Sequence, residues 1–124
     1  MRCLIIGKAT ADTEAGIMPT KDEMEEMGAY MAEMQKAGVL LDGAGLKPSS
    51  QAARVVFDDA GTPTVIDGPF AETKELIAGF VVVEVKSLEE AIDWAKRAPG
   101  KGARVSEIRP YFEPEDFAYL AEQK

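Results

Sequence analysis

The sequence predicts an α+β sandwich, and three observations point to it. Four apolar segments suited to strands lie at Arg2–Lys8, from Val39-Leu40-Leu41, at Ile77–Lys86 and at Ala103–Arg109. A segment with helical spacing and a capping signal follows the first and the third of them. Between the second and third lies another pair of short strands. The order is therefore β-α-β, a hairpin, then β-α-β. This is the order of a ferredoxin-like sandwich with an extra central β-hairpin.

In the first strand, Leu4-Ile5-Ile6 is apolar enough for a central position. Residues Ala9 to Pro19 read as a loop. Thr20 then caps a helix, and Glu23 completes its capping box. Met24, Met27, Met31 and Met34 recur at spacings of three, four and three on one helical face, a pattern of core filling. Gly38 is suited to the residue beyond the helix end. Asp42-Gly43-Ala44-Gly45 reads as a turn or bulge, and Ala52–Phe57 as a third strand. Asp58-Asp59-Ala60-Gly61 turns the chain back into Thr64-Val65-Ile66. Phe80-Val81-Val82-Val83-Glu84-Val85 is the strongest apolar strand. Ser87-Leu88-Glu89-Glu90 is a second capping box, opening a helix to about Arg97 with Leu88, Ala91, Ile92 and Ala95 on one face and Trp94 at its flank. Pro99-Gly100-Lys101-Gly102 breaks the chain, and Pro114-Glu115-Asp116-Phe117 opens a short helix in the tail. A single domain is expected over 1–124, with a core of 1–110 and a tail of 111–124. Both helices would cover one sheet face, so a homodimer with face-to-face sheets is expected to bury the other.

Composition narrows the function. The 124 residues carry a net charge of −8, which argues against nucleic acid and against an anionic membrane surface. No run approaches the roughly 20 apolar residues of a membrane span, and the N-terminal apolar run is too short for a signal-peptide core. A cytoplasmic location is expected. Cys3, the one cysteine, reads as a buried thiol. The chain has no histidine, which excludes Ser-His and Cys-His nucleophile pairs, imidazole base chemistry and His-containing metal sites. Asp58-Asp59-Ala60-Gly61 lacks the alternating oxygen ligands of a calcium loop, and the glycine pairs at 43–45 and 100–102 match no phosphate or dinucleotide loop. No cofactor and no metal are expected.

The most informative stretch is Asp67-Gly68-Pro69-Phe70-Ala71-Glu72-Thr73-Lys74-Glu75. Asp67 can fold its carboxylate onto backbone N–H groups of the turn, and Phe70 can anchor the turn in a core. The candidate site residues are Asp67, Glu72, Lys74 and Glu75. In an extended segment Glu72 and Lys74 share a face and can pair; in a helical one Glu72 faces Glu75. Two carboxylates around one amine could hold an amine-bearing ligand or raise the lysine pKa. A solvated charge cluster is the structural alternative.

These nine residues closely resemble the signature of the DGPF-domain family, within the wider YCII-related group. Leu40–Pro48 is similar to the family's Gly-rich segment ending in Leu-x-Pro, and Gly79-Phe80 and Ala91-Ile92-Asp93-Trp94-Ala95 add to the likeness. The resemblance runs from the first strand to Arg109-Pro110 and implies a dimeric α+β barrel type of ferredoxin-like fold. Certain YCII-related proteins are thought to use a His-Asp pair in a cleft, a pair that a chain without histidine cannot supply. Some relatives of this type occur beside or fused to sigma factors. Two functions follow as expectations: binding of a small molecule in a cleft near Asp67–Glu75, or a non-catalytic regulatory or protein-interaction module linked to sigma-factor-controlled transcription.

Overall fold

The computed structural model describes residues 1–123, in the order β1 (Arg2–Lys8), α1 (Ala11–Glu14), α2 (Lys21–Lys36), β2 (Leu40–Gly45), β3 (Ala53–Phe57), β4 (Pro63–Asp67), β5 (Ile77–Glu84), α3 (Leu88–Lys96) and β6 (Ser106–Pro110). Short 3-10 turns occupy Ser49–Gln51 and Thr73–Glu75, and a longer one Pro114–Glu122. The main sheet has the order β2-β5-β1-β6 and every pairing in it is antiparallel. The architecture is α+β, compatible with the ferredoxin-like order expected.

Strand alternation divides the sheet residues between two faces. Cys3, Ile5, Val83 and Val85 meet Tyr30, Met34 and Ala91 in the core beneath α2 and α3. The Tyr30 hydroxyl donates to the Trp94 carbonyl at 2.6 Å, and their rings meet edge-on with centroids 6.4 Å apart, which ties the two helices together. The opposite face carries the register pairs Leu4–Val82 and Ile6–Phe80, bordered by Arg2 and Glu84 and by Arg109 and Glu107.

Both long helices start at the N-cap residues their sequences predict. Thr20 accepts from the Glu23 N–H while Glu23 Oε1 accepts from the Thr20 N–H. Ser87 accepts from the Glu90 N–H, but Glu90 Oε1 reaches past it to the Lys86 N–H at 2.8 Å, so the second box is only half closed. Gly38 takes φ +74 beyond the end of α2.

Three segments refine or depart from expectation. Asp42–Gly45 is strand, and the register irregularity between Leu40 and Asp42 fits the bulge reading rather than the turn, with Gly43 placed in close packing. A Cβ on Gly43 would meet Met31 Cε at 2.9 Å and Val81 Cγ1 at 3.1 Å. The loop at 9–19 contains α1, one turn held by reciprocal hydrogen bonds between Thr10 and Thr13. The methionine stripe is core only at its C-terminal half: Met34 is fully buried and Met31 packs at the margin. Met24 and Met27 are exposed in a shallow groove beside Pro99 and Lys101.

β3 and β4 form a separate two-stranded sheet. Val55 pairs with Val65 and Phe57 with Pro63, so one face of this hairpin is a row of apolar side chains. Phe57 is 65% and Val65 64% exposed. At the hairpin tip, Asp58 Oδ1 accepts from the N–H groups of Ala60 and Thr62, both at 2.9 Å, so its carboxylate closes its own turn.

Candidate functional site

The signature leaves the end of β4 and folds down against the turn at 49–51. The Gly68 N–H donates to the Ala52 carbonyl at 2.9 Å, and the Gly68–Pro69 peptide bond is cis. Phe70 follows, with the Arg54 guanidinium stacked 3.7 Å from its ring centroid. Its backbone N–H donates to Ser49 Oγ at 3.0 Å. Ser49 is in turn held by Glu14: the Ser49 N–H donates to Glu14 Oε1 at 3.0 Å, and the Ser49 hydroxyl donates to Glu14 Oε2 in a short hydrogen bond. One buried serine, 6% exposed, thus joins the end of α1, the turn at 49–51 and the signature.

These segments enclose an open cleft of about 330 Å³. Its apolar wall is Leu46, Pro48, Ala52, Phe70, Leu76 and Ile77, and its polar groups are Glu14, Lys47, Ser49 and Gln51. Two strand contacts set that wall: the Leu46 N–H donates to the Ala78 carbonyl at 2.8 Å, and the Ala9 N–H to the Leu76 carbonyl at 2.9 Å.

The four sequence candidates flank this cleft along the chain without lining it. Asp67 ends β4, and Glu72, Lys74 and Glu75 lie in and beside the turn at 73–75; all four are exposed. Among the described residues, no ion pair joins Glu72, Lys74 and Glu75, and the Asp67 carboxylate accepts no hydrogen bond from its turn. The expected Asx closure is made instead by Ser49 on the Phe70 N–H. Lys8 Nζ reaches the Glu75 carbonyl at 3.4 Å, which fixes the turn's backbone rather than its charges.

Glu14 and Ser49 were not legible as site residues. The Thr10/Thr13 pair that positions Glu14 is a local signal, and Ser49 stands directly after the Leu40–Pro48 segment. Neither signal says that the two residues meet, because they are 35 positions apart. The groups with displaced pKa values lie elsewhere. Burial pushes the Cys3 thiol and the Tyr30 hydroxyl up. Hydrogen bonds from Thr20 hold Glu23 below the usual carboxylate range, and Arg2 does the same for Glu113.

The family model for the YCII-related domain matches residues 1–115. The chain belongs to the YCII-related family. That match takes in α1, the cleft and all four strands of the main sheet. This YCII-related chain is also 41% identical over 73 residues to an uncharacterized protein of Rhizobium meliloti (strain 1021), a match covering 59% of the chain and 58% of that relative. No helix among the described residues of this YCII-related chain is long and apolar enough to cross a membrane.

Proposed function

We propose that this YCII-related protein binds a small molecule in the cleft between Glu14, residues 46–52 and the signature. The observation that carries the reading is the convergence of three distant segments on Ser49 behind a mostly apolar wall. Small-molecule sites combine such a wall with a few fixed polar groups, at volumes of roughly 300–1,000 Å³. The cleft, at about 330 Å³, lies at the small end of that range. Asp67, Glu72, Lys74 and Glu75 are charged groups that adjoin the wall residues Phe70 and Leu76 along the chain.

A thermal-shift screen with a metabolite library tests this on wild type, Lys74→Ala and Ala52→Trp. A ligand at about 100 times its dissociation constant adds roughly 2.7 kcal/mol. The expected hit is lost when Trp fills the cleft and weakened in Lys74→Ala. A hit unaffected by Ala52→Trp places binding elsewhere.

The protein acts as a homodimer in this reading. Support comes from the sheet face opposite the helices, where half-buried Leu4 and Phe80 lie beside buried Ile6 and Val82, an apolar centre inside a charged border. The exposed hairpin supports it too, since an isolated two-stranded hairpin is marginal in water. Light scattering on wild type and Phe80→Glu is expected to give a dimer and a monomer respectively.

A second reading is a non-catalytic regulatory or protein-interaction module linked to sigma-factor-controlled transcription. The observation favouring it is the same exposed apolar hairpin together with Phe112, Tyr119 and Leu120 of the tail. Silence across the ligand screen, combined with a monomeric wild type, would shift the balance to it.

A further inference from the structure

We infer that Glu14 is the recognition group of the cleft and that its ligand is a protonated amine carried on an apolar body. The inference rests on the binding reading above and adds the ligand's chemical class. Both Glu14 oxygens are anchored by Ser49, one by its N–H and one by its hydroxyl. A carboxylate offers about four acceptor positions, so roughly two stay open. Among the described residues no lysine or arginine pairs with Glu14. Its charge therefore stands unmatched beside Leu46, Phe70, Leu76 and Ile77. A carboxylate next to apolar groups loses hydration, and a cationic N–H donor restores both charge balance and hydrogen bonding. Lys47 also lines the cleft, but it is exposed and Glu14 is half-buried. The anchored charge, not the exposed one, sets the polarity of the ligand's inner end.

Phenethylamine, phenethyl alcohol and phenylacetate share one apolar body and differ in the head group. Each is titrated into the protein and followed by amide-resolved NMR. The Ser49 and Phe70 amides report directly, because one donates to Glu14 and the other to Ser49 Oγ. The amine is expected to shift both, and Glu14→Gln to weaken it about tenfold, the worth of one charged hydrogen bond. Glu115→Gln, on the exposed tail, is expected to leave it unchanged. If the alcohol or the acid binds the cleft as tightly as the amine, the inference is overturned while the cleft remains a binding site. The same holds if Glu14→Gln keeps full amine affinity. If none of the three moves these amides, the binding reading itself falls with it. Should Glu14→Gln not fold, the wild-type contrast of amine against alcohol decides alone.

Discussion

Gly68 lies directly against the backbone of Ser49: a Cβ built on Gly68 would fall inside the Ser49 carbonyl oxygen. Its φ is not in the left-handed region, so the requirement for glycine is close approach rather than backbone conformation. Gly68→Ala must push the signature off the 49–51 turn. Overpacking of this kind destabilises by about 1–3 kcal/mol, read as a melting temperature lower by several degrees. Gly28 is the control, since a Cβ there has nothing within 4 Å and the residue is inside α2. Gly28→Ala is expected to stabilise by about 0.5–1 kcal/mol.

Ser49→Ala removes the acceptor of the Phe70 N–H and one donor to Glu14. Leaving such groups without partners costs about 1–3 kcal/mol. Urea titration is expected to show a lower midpoint with an unchanged slope. A variant as stable as wild type would mean that water replaces the hydroxyl and that Ser49 is no joint at all.

Arg2 grips Glu113 with its guanidinium and its backbone N–H, at 3.0 to 3.2 Å. These bonds hold the Glu113 carboxyl below the usual carboxylate range. A folded-state value that is depressed gives stability above the unfolded value, about 4.3, and loses it as pH falls through the folded value. The stability gap between wild type and Glu113→Gln is therefore expected to be widest near neutrality and to close on acidification below about pH 4.3. Thermal unfolding across that range checks it; a gap independent of pH would exclude the ion pair as its source.

Cys3 is fully buried, and burial pushes its thiol pKa up. Both effects suppress the thiolate that reacts with alkylating agents. Iodoacetamide is expected to leave the native protein unlabelled at mildly alkaline pH and to label it fully in guanidinium. Rapid native labelling would show that β1 opens locally.

Much of the frame was legible because its signals are local. Thr20 with Glu23, Ser87 before Glu90, and Gly38 after α2 act within a few residues, and the structure uses each of them. Misreadings arose where distant packing decides. Gly43 looks like a turn residue until Met31 is seen resting on the strand. Met24 and Met27 share the periodicity of Met34, yet nothing in that periodicity says where the sheet stops beneath the helix. The candidate site follows the same rule. Phe70 was expected to anchor the turn in a core, but it lies outside the core cluster, in the cleft wall against Arg54. Glu14 and Ser49 could not be read from the sequence, since their pairing spans 35 residues and depends on the path of the whole intervening chain.

β4 ends at Asp67, and Phe70 stands three residues later in the cleft wall. Only Gly68 and Pro69 therefore separate the exposed hairpin from the cleft wall. Were a partner on the hairpin also to displace Phe70, its free energy of attachment would be coupled to that of a ligand in the cleft. Such coupling is reciprocal by thermodynamic necessity. Filling the cleft would tighten or loosen the hold on the hairpin by the same factor, and a single stretch of chain would serve as sensor in one direction and as effector in the other.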